Sequence, residues 1–231
     1  MNYQAMEPDN YQQKCLCVLL LDVSGSMVKE DRIGKLNAAI TQFYDDIIHG
    51  KNGVAKTTVQ QLEVEIITFD QEPKIIRQPK LLSRNEVPPV LQTRGSTTET
   101  VKAIEFAMEE VTKRKRRYDQ TGQCYYRPWI VLMTDDNPTS PQNEIDRIAP
   151  KLLKEVKEKH FSMIGVCIAD GVTRQTLSKL CAGHETSLSN LRFGNFFRWL
   201  SRSLSTITKS NDDESVDISI DADSWMKDYK I

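Results

Sequence analysis

No stretch of this 231-residue chain approaches the roughly 20 consecutive apolar residues that a helix needs to cross a bilayer. Its first fourteen residues, Met1 to Lys14, are mostly polar and include Glu7, Pro8 and Asp9. The basic start and apolar stretch of a secretory signal are missing, so the expectation is a cytoplasmic protein with no membrane partner. An excess of one charge is missing too. Lys and Arg number 31 against 32 Asp and Glu, a formal net charge of −1, and no global field favours nucleic acid. The five cysteines, Cys15, Cys17, Cys124, Cys167 and Cys181, are an odd set. In an unsecreted chain they do not form a disulfide framework, and no Cys/His pair stands at zinc spacing. Cys15 and Cys17 read as small buried hydrophobes. Neither G-x-x-x-x-G-K-[ST] nor G-x-G-x-x-G occurs, which leaves nucleotide binding without support. No G-x-S-x-G elbow occurs. The histidines, His49, His160 and His184, fall in predicted helix ends or loops, so a Ser/His/Asp hydrolase has no parts.

What is present is enough for one α/β domain with a full core. Three apolar runs, Cys15 to Leu21, Trp129 to Met133 and Met163 to Ile168, show no clean alternation, as central parallel strands covered on both faces do. Leu62 to Phe69 starts by alternating with Glu63 and Glu65. Lys74 to Arg77 follows a turn at Gln71-Glu72-Pro73 and reads as an edge strand paired to it. Between these runs, Ile33, Leu36, Ile40, Phe43 and Ile47 recur at helical spacing, with Gly50 and Gly53 at the end. Val101 to Val111 and Ile145 to Val156 carry similar stripes, Thr173 to Cys181 gives a short helix, and Phe196 to Ile207 a last one. Strands alternating with helices predict a doubly wound, Rossmann-like α/β domain. Its central sheet is mostly parallel with one antiparallel edge strand, and helices lie on both faces. The domain is expected over 14–209, after a polar segment 1–13. An acidic tail over 210–231, with Asp212, Asp213, Glu214, Asp217, Asp221 and Asp223, is expected to be partly disordered.

Ligands of open α/β sheets bind beyond the carboxyl ends of the strands. Three oxygen-bearing clusters fall at such ends. Asp22, Ser24 and Ser26 follow the first strand, and Asp135 and Asp136 follow the strand ending at Met133. Thr97, Thr98 and Thr100 open the second helix. Each alone reads as a helix cap. Together they form an all-oxygen set, which suits Mg²⁺ or Mn²⁺ rather than zinc. Hydroxyl ligands are neutral, so an ion held by Ser24, Ser26 and Thr98, with carboxylates acting through water, keeps positive charge. It then attracts a partner's Asp or Glu.

These residues resemble a known family. Asp22-Val-Ser24-Gly-Ser26, a threonine after a Gly-containing loop, and Thr134-Asp135 are similar to the metal-ion-dependent adhesion site of von Willebrand factor A domains. Several further stretches resemble the intracellular TerY group of tellurium-resistance systems. They are Tyr125-Tyr-Arg-Pro-Trp129, Thr134-Asp-x-x-Pro138-Thr139, and Leu191-Arg-Phe followed by Phe197-x-Trp199-Leu-Ser-x-Ser-Leu204. The resemblance implies Ser24, Ser26 and Thr98 as direct metal ligands, and Asp22 and Asp135 as holders of metal-bound water. Thr98 is preferred to Thr97 because it lies five residues before Ala103-Ile104, as the family's threonine lies before its Ala-Leu. It also implies a metal-dependent protein-binding module, not an enzyme. The place implied is a stress-response or chemical-defence system, beside a Ser/Thr kinase and a phosphatase that present acidic or phosphorylated groups. One departure is Asp136-Asn137 where the family has Gly-Glu, which adds a carboxylate near the metal.

The rival reading is a Mg²⁺-dependent phosphotransferase or phosphatase with Asp22 as nucleophile, as in haloacid dehalogenases. Those enzymes place a second Asp two residues on, where this chain has Ser24. The basic run Lys113-Arg-Lys-Arg-Arg117 ends the second helix, where positive charge suits the dipole, and reads as a solvated helix end. Trp129 and Trp199 read as packing residues.

Overall fold

A computed structural model describes residues 12–95, 97–135, 139–168, 174–188, 192–208 and 226–227. Asp136 and the acidic residues from Asp212 to Asp223 lie outside the described residues. The strands are β1 (Cys15–Asp22), β2 (Leu62–Phe69), β3 (Pro73–Leu81), β4 (Trp129–Thr134), β5 (Ser162–Cys167), β6 (Glu185–Leu188) and β7 (Met226–Lys227). The helices are α1 (Arg32–His49), α2 (Thr100–Thr121), α3 (Gln142–Lys157), α4 (Arg174–Leu180) and α5 (Phe193–Ile207), with 3-10 turns at Gly25–Asp31 and Thr58–Gln60.

All the strands join one sheet in the order β3-β2-β1-β4-β5-β6-β7. β1 runs parallel to both β2 and β4, and β5 and β6 continue the parallel set. β3 is the expected antiparallel edge. The two-residue β7 adds a second antiparallel strand at the far edge. Every residue of β1, β2 and β4 is buried, which accounts for the unbroken apolar runs of β1 and β4. One core packs Phe43, Phe196, Phe197 and Leu200 of α1 and α5 against Cys15, Cys17, Leu19 and Leu21. The other packs α2, α3 and α4 against Leu16, Val18 and Leu20. The alternation of β1 thus serves two faces, one for each helix layer. Gly165 of β5 permits the close seating of α4, because Cys181 Sγ occupies the space a Cβ there would need. None of the helices is long and apolar enough to cross a membrane among the described residues.

The end of α2 departs from the sequence reading. The helix continues past Arg117 to Thr121, and its basic run is not wholly solvated. Arg114 Nε donates to Glu63 Oε2 at 2.7 Å, its Nη2 donates to Glu63 Oε1, and Tyr118 donates its hydroxyl to the same carboxylate at 2.5 Å. The side chain of Glu63 is only 2% exposed. A lone buried carboxylate there would be costly, so Arg114 and Tyr118 make the burial tolerable.

Two residues on, Glu65 has no such help. It is fully buried, and neither carboxylate oxygen has a hydrogen-bond partner among the described residues. Burial pushes its pKa up from 4.5 to about 8, Glu110 adds to the rise, and Arg114 and Lys113 oppose it. The folded state therefore holds a proton that the unfolded chain releases near 4.5. Stability from this group is present at low pH and is lost as pH rises through about 8. Glu65→Gln is expected to remove that loss and to be more stable than the parent at pH 9 by roughly 1–3 kcal/mol, read by urea unfolding across pH 5 to 9. Parallel pH profiles for the two proteins would contradict this account of Glu65.

Candidate metal centre

The parallel registers bring the carboxyl ends of β1 and β4 side by side, with Leu21 opposite Met133. The next residues, Asp22 and Thr134, meet directly: Thr134 Oγ1 donates to Asp22 Oδ2 at 2.7 Å. Asp22 Oδ1 accepts from the Ser24 amide at 2.8 Å, which turns the loop back on its own carboxylate. Asp22 is fully buried. Burial pushes its pKa up to about 6, and the charge of Asp135 adds to this. The Ser24 amide and hydroxyl and the Thr134 hydroxyl oppose the rise by favouring the ionised form.

The loop then leads to Ser24 and Ser26, whose hydroxyl oxygens stand 3.0 Å apart. Ser26 Oγ donates to Asp135 Oδ1 at 2.7 Å across the gap from β1 to β4. Ser24 is 2% exposed and Asp135 4%. Four of the expected residues, Asp22, Ser24, Ser26 and Asp135, therefore form one connected polar cluster.

The threonine loop is docked against the same place. The Gly25 amide donates to the Gly95 carbonyl at 3.2 Å, and the Arg94 amide to the Val23 carbonyl at 2.6 Å. Gly95 adopts a left-handed φ of 62°, and a Cβ there would run into the Asp70 side chain. Thr139 fixes the other side: its hydroxyl accepts from the Thr98 amide at 3.0 Å, and its amide donates to the Thr98 carbonyl at 3.1 Å. Thr98 is buried beside α2, at 3% exposure. Thr97 has its own claim, because its hydroxyl is buried without a hydrogen-bond partner among the described residues. Either hydroxyl comes from the loop that meets Gly25.

The donor set is all oxygen and partly neutral, which fits a hard divalent cation. Among the described residues no three His, Cys, Asp or Glu side chains gather into a metal-binding group. Two contributors were missed by the sequence reading. Thr139 was quoted only as part of a resemblance, with no role as a clamp on Thr98. Arg32, the first residue of α1, donates from Nη1 to Asp135 Oδ2 at 2.6 Å. A cation at a helix N-terminus opposes the helix dipole, and that oddity was the available signal.

A family model described as the von Willebrand factor type A domain matches residues 17–199. No curated protein matches the sequence. Among solved structures, the chain is similar to proximal thread matrix protein 1 of the mussel byssus, with TM-score 0.54 and 14% identity over 85% of this chain and 49% of that one. A further structure of that protein has a zinc-occupied MIDAS motif, with TM-score 0.50 and 15% identity over 87% of this chain and 46% of that one. Manganese-loaded TRAP protein of Plasmodium vivax is similar at TM-score 0.51 and 18% identity, over 77% of this chain and 68% of that one. The pilus adhesin SpaC of Lactobacillus rhamnosus GG is similar at TM-score 0.61 and 12% identity, over 87% of this chain and 31% of that one. At these identities the likeness is one of fold. The chain spans about half the length of the mussel protein.

Thr134→Val tests the coupling of the two strand ends. It takes away the hydrogen bond from the adjacent strand to the buried Asp22 carboxylate, so the protein is expected to lose roughly 1–3 kcal/mol of stability at neutral pH. Urea unfolding reads this directly. A change within a few tenths of a kcal/mol would show that Asp22 does not depend on Thr134.

Proposed function

This chain belongs to the von Willebrand factor type A family, and we propose that it is a metal-dependent protein-recognition module rather than an enzyme. The observation that carries the reading is the single cluster in which Ser24, Ser26, Asp22 and Asp135 meet at the ends of β1 and β4. Ser24, Ser26 and Thr98 would hold Mg²⁺ or Mn²⁺ directly, and Asp22 and Asp135 would act through water. Bound there, the ion supplies an electrophilic point at the rim of the sheet. Manganese and zinc in two proteins of the same fold support a divalent ion.

The protein's own groups prepare the place. The Ser24 amide and Thr134 hydroxyl fix Asp22, and Thr139 and Gly95 fix the threonine loop. Neutral hydroxyls leave much of a cation's charge uncancelled, so the ligand to expect is a carboxylate or phosphorylated group on a protein partner. The stretches similar to the TerY group support a cytoplasmic setting in stress response or chemical defence, with a Ser/Thr kinase or phosphatase as partner. Calorimetry is the test. Ser24→Ala with Ser26→Ala is expected to abolish Mg²⁺ and Mn²⁺ binding with the fold intact. Thr98→Ala is expected to weaken binding about tenfold or more, and Thr97→Ala to do less. Unchanged affinity in the double variant would overturn the site, as would Mg²⁺-dependent phosphoester turnover abolished by Asp22→Asn.

A further inference from the structure

Arg32 faces the metal loop from the start of α1, and nothing in the reading above assigns it a role. Its guanidinium and the Ser26 hydroxyl bracket the Asp135 carboxylate: Arg32 Nη1 stands 2.6 Å from Oδ2, and Ser26 Oγ stands 2.7 Å from Oδ1. The pair is shielded from water, with side-chain exposures of 10% for Arg32 and 0% for Asp135. The other nearby carboxylate, Glu30, is 3.7 Å away and 68% exposed, so it offsets little of the guanidinium charge. Arg32 Nε is buried without a hydrogen-bond partner among the described residues. The backbone also goes out of its way to deliver this side chain. Glu30 and Asp31, neither of them glycine, both take a left-handed φ of 53° immediately before Arg32. Such conformations are uncommon and cost energy unless the surroundings enforce them.

We propose that Arg32 is a built-in cation that competes with the divalent ion for Asp135 and so sets the metal affinity of the site. This rests on the metal reading above and goes beyond it. Two roles are open to an arginine on a metal-site carboxylate, and they have opposite signs. As a positioning group, Arg32 would orient Asp135, and its loss would weaken metal binding. As a competing cation, it would repel a divalent ion held through water on the Oδ1 side of the same carboxylate, and its loss would strengthen binding. The geometry favours the second. Ser26 already holds Oδ1 and the turn between Ser24 and Ser26 is short, so Asp135 has an orienting partner without Arg32. Arg32 therefore contributes mainly charge. Charges a few ångströms apart in a water-poor site interact far more strongly than in bulk water, and the N-terminus of α1 adds its own positive end. In metal-free protein, Arg32 supplies the charge partner for a buried carboxylate that would otherwise have only the Ser26 hydroxyl.

The test is a Mn²⁺ titration in which free Mn²⁺ is counted by electron paramagnetic resonance. Four full-length proteins are compared with the parent: Arg32→Gln, Arg32→Met, Arg32→Lys, and Ser24→Ala with Ser26→Ala. Glutamine keeps a donor for Asp135 and loses the charge; lysine keeps the charge. Arg32→Gln is expected to bind Mn²⁺ at least about tenfold more tightly than the parent, with Arg32→Met in the same direction and Arg32→Lys within about threefold of the parent. Testing both neutral variants means that failure of one to fold leaves the other to decide. Tight binding by Arg32→Gln where the parent binds weakly or not at all would also support the proposal. Parent binding that is matched or weakened in the folded neutral variants overturns it and leaves the metal site standing. Binding that survives in the double serine variant, or that is missing from parent and neutral variants alike, overturns the metal reading and this inference with it.

Discussion

The site is organised around one buried carboxylate. Asp22 ends β1, an interior strand of the sheet, and is fully buried. A charge in that position is tolerated only if neighbouring groups answer it. The Ser24 amide answers it from the loop the aspartate itself begins, and the Thr134 hydroxyl from the end of the adjacent strand. The first contact shapes the loop that carries Ser24 and Ser26. The second locks the register of β1 against β4 at the rim and places Asp135 within reach of Ser26. Packing of the two helix layers supplies the rigidity, and Asp22 turns that rigidity into a defined arrangement of oxygens.

Much of this was legible in the sequence, because the same physics writes both. A strand buried on two faces shows an unbroken apolar run, so β1, β4 and β5 stand out, and their ends locate Asp22 and Asp135. The edge position of β3 follows from the turn before Pro73 and the polar residues along it, although the strand runs on to Leu81, past the Lys74 to Arg77 read from the sequence. The four-residue β6 and two-residue β7 did not stand out. Strands that short carry no periodicity, and pairing with a neighbour makes them. Nor does alternation in β2 tell that Glu63 is buried: that depends on Arg114, 51 positions away, reaching it from α2. Arg32 was hidden for the same reason. Its neighbours in the chain are Asp31 and Ile33, while its partner is Asp135.

The charges explain how one scaffold can be both stable and receptive. Glu63 is answered within the fold by Arg114 and Tyr118, and its role is structural. Asp135 is answered by Ser26 on one oxygen and Arg32 on the other, and it follows the carboxyl end of β4. A carboxylate held between a hydroxyl and a guanidinium is paired but not closed off, because the hydroxyl can exchange its partner for a cation at little cost. The buried pair gives stability to the metal-free protein, and the hydroxyl side provides the proposed point of entry.

The central claim is that these side chains define one divalent-cation site at the ends of β1 and β4. Anomalous diffraction from crystals grown with Mn²⁺ tests it most directly. The account predicts a single strong peak roughly 2 Å from the hydroxyl oxygens of Ser24, Ser26 and Thr98, with Asp22 and Asp135 just beyond bonding distance. A peak elsewhere on the protein, or none at saturating Mn²⁺, would contradict it.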